Sequence, residues 1–106
     1  MSSPEQRKYP RIKPPRSVVV AWQAGTTRDV SYVDNLALGG LFVKTKKSVP
    51  LRALVQVLLD MPLGQVRARA VVRRIWEHHG IGIQIISMEP EDRARLYRQM
   101  KSFAEA

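Results

Sequence analysis

The sequence has no cysteine, which excludes disulfides and thiolate metal sites. No stretch approaches the roughly 20 apolar residues that a helical membrane span requires. The opening residues MSSPEQRKYPRIKPPR lack the apolar centre of a secretory leader. These absences predict a soluble, cytoplasmic protein without a membrane span. Acidic residues are scarce: 9 Asp+Glu stand against 18 Lys+Arg, a net charge of +9. That balance favours anionic partners such as nucleic acid, nucleotides, acidic lipid headgroups or acidic protein faces, without choosing among them. Catalytic patterns are missing too. The serines lie in no nucleophile motif, Asp29, Asp34 and Asp60 form no recognisable pair, and no G-x-x-x-x-G-K-[S/T] loop is present. The expectation is a protein that is not an enzyme and needs no cofactor.

What is present falls into two parts. The 106 residues amount to one domain with a modest core. Four of the seven prolines (Pro4, Pro10, Pro14, Pro15) and the basic residues Arg7, Lys8, Arg11, Lys13 and Arg16 crowd residues 1–16. Proline biases its predecessor toward extended backbone, and few large apolar groups are available here, so residues 1–16 read as a flexible basic arm. Residues 17–106 read as the globular domain, its apolar pattern beginning at Val18.

From Val18 the periodicity is that of strands. Residues 18–22, 30–36, 41–44, 54–59, 66–72 and 81–86 give about six, separated by turn signals such as Ala24-Gly25, Gly39-Gly40 and His78-His79-Gly80. In the second, Ser31, Val33 and Asn35 share one parity and Val30, Tyr32 and Asp34 the other. In the fifth, Val66, Ala68, Ala70 and Val72 alternate with arginines, and a slip of parity near Arg74-Ile75-Trp76 predicts a bulge. Such short connections imply an antiparallel barrel or sandwich. The period then changes: Ser87 is a candidate helix cap or near-cap, Pro90 suits a first turn, and Leu96, Met100 and Phe103 form one apolar stripe. The predicted fold class is mainly β, a six-stranded antiparallel β-barrel with a C-terminal α-helix.

Two segments carry the functional signal. Arg7-Lys8-Tyr9-Pro10-Arg11 is an R-x-x-x-R pattern in the arm, and about two dozen residues later Asn35-Leu36-Ala37-Leu38-Gly39-Gly40 leads through a double-glycine turn. An R-x-x-x-R followed by [D/N]-x-S-x-x-G resembles the PilZ family of cyclic di-GMP receptors. Gly80-Ile81-Gly82-Ile83-Gln84-Ile85 and Pro90-Glu91-Asp92-Arg93 are similar to that family's last strand and final helix. The resemblance implies that Arg7 and Arg11 grip guanine bases and phosphates, that Asn35 meets the guanine edge, and that Gly40 is the motif glycine. The proposed ligand-binding set is Arg7, Arg11, Asn35, Ala37, Gly39 and Gly40, with Gln6 and Lys8 as secondary candidates. A guanidinium fork pairs bidentately with guanine O6 and N7 or with phosphate, and its face stacks on a purine. Ala37 departs from the pattern, because it stands where the family has serine. Gln6 occupies the position that in the family influences whether one ligand or an intercalated pair is bound, which leaves the stoichiometry open.

Each feature also has a plainer reading. The arm arginines form a solvated tail, the double glycine a hairpin turn, and Arg67, Arg69, Arg73 and Arg74 a solvated outer face or a nucleic-acid footprint. Trp22 and Trp76 read as core or rim residues. His78 and His79 are adjacent and so face opposite sides of a strand, too few donors for a metal. The helix stripe packs on the barrel or forms a dimer interface. The expected partners are cyclic di-GMP and an effector protein, with a ligand-free adaptor and a nucleic-acid-binding barrel as the alternatives.

Overall fold

The computed structural model describes residues 11–105. Six strands form a closed barrel: β1 (Val19–Ala24), β2 (Thr27–Ala37), β3 (Gly40–Lys44), β4 (Leu54–Met61), β5 (Gly64–Trp76) and β6 (Gly80–Ser87), followed by α1 (Pro90–Glu105). Every neighbouring pair is antiparallel, in the order β1-β2-β3-β6-β5-β4 and back to β1. Closure gives every strand a neighbour on both sides along at least part of its length.

The alternation seen in the sequence decides what fills the barrel. Val20 and Trp22 of β1, Val55, Val57 and Leu59 of β4, and Val66, Ala68, Ala70 and Val72 of β5 point inward and are buried. Trp22 is buried with its indole N–H donating to the Ser31 hydroxyl at 3.0 Å, so its polar handle is satisfied inside the core. The stripe on α1 closes the core: Leu96 and Met100 are buried and Phe103 packs against the same cluster.

The helix is held on the β4–β5 hairpin by specific bonds. Gln99 Oε1 accepts from the Leu63 amide at 2.7 Å, and Arg95 donates to the Gln65 carbonyl at 3.0 Å. Asp92 accepts from the Arg67 amide at 3.1 Å. Ser87 is not the helix cap itself but lies just before it. It is the last residue of β6, and the helix starts at Pro90 with the Glu89 carbonyl accepting from the Arg93 amide at 3.0 Å. β6 runs on to Ser87 because its ladder with β5 continues to the Arg69–Ser87 pair.

The chain engages the barrel before the globular pattern begins. Ile12 forms an isolated antiparallel bridge with Leu36, with N–O distances of 2.9 and 2.8 Å in the two directions. Arg16 lies over the Tyr32 ring at 5.1 Å, a second contact between this leader and β2.

Candidate functional site

Two bulges position the side chains that matter. In β2 the register with β3 shifts between Val33 and Asn35, so Asp34 is the extra residue. Unbroken alternation would place Asn35 inward with Ser31 and Val33, which are buried. The bulge instead sends Leu36 into the core, fully buried, and leaves Asn35 half-buried at the outer surface. In β5 the register with β6 shifts between Val72 and Arg74. Arg73 and Arg74 therefore both line the outer face, where strict alternation would have shown only one of them.

These elements surround a depression of about 400 Å³, bordered by Arg11, Asn35, Ala37, Gly39 and Gly40 and, from β5 and β6, by Arg73, Arg74, Trp76 and Gln84. The Ile12–Leu36 bridge sets Arg11 beside Asn35 and Ala37. Five of the residues singled out from the sequence thus meet at one place. Arg7, Gln6 and Lys8 lie outside the described residues.

The floor is bare backbone. Gly82 pairs with Phe42 on one side and Arg74 on the other, so the centre of that row carries no side chain. The Phe42 and Trp76 rings meet edge to face across the gap at 4.8 Å. Arg74 lies 5.9 Å from the centre of the Trp76 ring, which is 45% exposed. The site so presents three guanidinium groups, an open indole and the Asn35 amide. A planar heterocycle stacks on the indole, an anion pairs with the guanidinium groups, and the amide reads a hydrogen-bonding edge.

Gly40 meets a steric need of the sheet. Its backbone is not in the left-handed region, and a Cβ there would collide with the Ile83 carbonyl of β6. The glycine permits close pairing of β3 with β6.

Arg73, Arg74, Trp76 and Gln84 lie outside the set that the sequence predicts; the strand pattern alone reads the arginines as a solvated outer face or a nucleic-acid footprint. The slip of parity at Arg74-Ile75-Trp76 was the signal that could have found them. Among the described residues no His, Asp or Glu cluster could hold a metal, and no helix is long and apolar enough to cross a membrane.

The PilZ domain profile matches residues 5–102, which is most of the chain. The chain belongs to the PilZ domain family. Solved PilZ structures share its fold. The PilZ domain of YcgR from Escherichia coli, solved with c-di-GMP, aligns with a TM-score of 0.77 at 16% identity, over 95% of this chain and 93% of that one. The MrkH–c-di-GMP complex from K. pneumonia aligns with a TM-score of 0.78 at 15% identity, over 95% of this chain and 52% of that one. The inhibitor of motility MotI/DgrA from Bacillus subtilis aligns with a TM-score of 0.74 at 23% identity, over 95% and 52%. This PilZ domain therefore spans about half the length of the last two proteins. No curated protein sequence matches it.

Proposed function

We propose that this PilZ domain is a cyclic di-GMP receptor without enzymatic activity, which relays its bound state to an effector protein. The observation that carries the reading is the convergence of Arg11, Asn35, Ala37, Gly39 and Gly40 on one depression, beside Arg74 and Trp76. Cyclic di-GMP is a planar-faced dianion, and the site offers what such a ligand needs. Asn35 and an arginine address the guanine edge, further guanidinium groups take phosphate, and Trp76 offers a stacking face. Among the described residues neither Arg11 nor Asn35 makes a side-chain hydrogen bond or ion pair, so ligand contacts displace only water.

Arg7 supplies the second arginine of the motif, with Gln6 and Lys8 beside it. Ordering a basic arm costs about 1–2 kcal/mol of backbone entropy for each residue pinned, so only charge-assisted contacts offset it. The ordered leader then presents a new surface to the effector. The protein works in the cytoplasm, where such a messenger would reach it.

Calorimetric titration with cyclic di-GMP tests the reading: wild type binds, and Arg11→Ala loses most of the heat. Slower amide exchange in residues 5–16 under saturating ligand tests the ordering step. A second reading, an adaptor that binds no ligand, is favoured by one observation, the alanine at position 37. It is the reading that stands if wild type gives no heat at tens of micromolar protein.

A further inference from the structure

A second depression, of about 810 Å³, holds none of the motif residues. It runs across the outer face of β2, β1, β4 and β5, beside the start of α1. The register defines two rows of side chains. Val30, Ala21, Leu58 and Arg67 stand opposite one another in the first; Arg28, Gln23, Gln56 and Arg69 do so in the second. The first row is an apolar floor ending in an arginine, and Val30 is 66% exposed on it. The second row is polar with an arginine at each end.

We propose that this trough docks an extended, acidic segment of a partner protein that carries apolar residues between its carboxylates. The unpaired arginines of the trough favour an acidic occupant. Among the described residues, Arg28, Arg67 and Arg69 have no carboxylate within ion-pair distance. Three carboxylates border the trough: Asp29 and Asp92 are engaged within the fold, and Glu89 stands at its α1 end. Asp29 accepts from the Val30 amide at 2.9 Å and the Thr45 hydroxyl at 3.0 Å, and Asp92 accepts from the Arg67 amide at 3.1 Å and lies 3.6 Å from Arg95. The arginines are left to pair outward.

The dimensions and floor point to a peptide. Three interstrand spacings separate β2 from β5, roughly 14 Å, which about four extended residues cross. β1 and β4, which floor the trough, are paired on both sides, so a partner lying across them binds through side chains. Nucleic acid is disfavoured because the aromatic ring bordering the trough, Trp22, is buried and offers no face to a base. A second copy of this chain is disfavoured because each carries a net charge of +9. The proposal does not depend on cyclic di-GMP binding.

The test uses the full chain, labelled with nitrogen-15. The probes are an eight-residue peptide alternating glutamate and leucine, an all-glutamate peptide of the same length, and a twelve-nucleotide thymidine oligomer. The alternating peptide is expected to shift the amides of Ala21, Val30 and Leu58, and to bind about tenfold more tightly than the all-glutamate peptide. Val30→Asp should remove that advantage, and Arg28→Glu combined with Arg69→Glu should remove binding, with thermal melts unchanged. Equal affinity of wild type for both peptides overturns the proposal without reference to any variant. So do shifts confined to the Arg11–Arg74 depression, or tighter binding of the oligonucleotide at the same amides.

Discussion

At the scale of single residues, the site poses two questions that substitutions can answer. Ala37 is 7% exposed and borders the depression, so a hydroxyl added there meets a bound ligand instead of bulk water. A neutral hydrogen bond contributes about 0.5–1.5 kcal/mol, or roughly two- to tenfold in affinity. Ala37→Ser is expected to tighten cyclic di-GMP binding by that factor in a calorimetric titration; unchanged affinity would mean the position is out of the ligand's reach. The glycines pose the other question. A Cβ at Gly40 meets backbone that cannot yield, and overpacking of this kind costs about 1–3 kcal/mol. A Cβ at Gly82 comes no closer than 3.4 Å to Arg74 Cβ and 3.8 Å to the Trp76 ring. Gly40→Ala should therefore lower the melting temperature. Gly82→Val should melt close to wild type yet lose ligand binding, because its methyls fill the floor of the site. Binding retained by Gly82→Val would place the ligand elsewhere.

At the scale of elements, alternation made most of the barrel legible. The apolar–arginine alternation of Val66 to Val72 is the inward and outward pattern of β5, and the stripe Leu96, Met100, Phe103 is the buried face of α1. Alternation fails where a bulge breaks it. Parity placed Asn35 on the side of Ser31 and Val33, and only the extra residue Asp34 turns it outward. No residue type marks a bulge reliably, since the event is a mismatch between two paired strands and needs the partner to be known. The same limit hid Arg73 and Arg74, although the break in pattern beside them was visible. The β5 bulge gives its own prediction. Deleting Arg73 restores a regular ladder between Val72–Ile83 and Arg74–Gly82 and should leave the barrel folded, by circular dichroism. Arg73→Ala removes the same guanidinium but keeps the bulge. If the bulge aims Arg74 and Trp76 at the ligand, the deletion should weaken cyclic di-GMP binding several-fold more than the alanine variant. Equal losses would reduce the bulge to a carrier of one side chain.

At the scale of the whole molecule, a net charge of +9 attracts any anion, so binding of an anionic ligand alone does not separate a built site from a basic surface. Salt does. A nucleic-acid strand carries a condensed counterion layer, and each phosphate neutralised adds about 0.7–0.9 to the slope of log affinity against log salt. A cyclic dinucleotide has only two phosphates and holds few condensed counterions, so its slope is bounded near that of two contacts and falls below it. Much of its affinity comes from stacking and guanine hydrogen bonds, which salt screens little. Raising salt from about 50 to about 200 mM should therefore weaken cyclic di-GMP binding by less than about tenfold. An oligonucleotide held by the arginines of β5 through six or more phosphates would lose at least two orders of magnitude over the same range. Titrations of both ligands at the two salt concentrations give the slopes directly. A dinucleotide slope as steep as the oligonucleotide's would identify the binding as that of a general basic surface, and the motif residues would then have no special claim on the ligand.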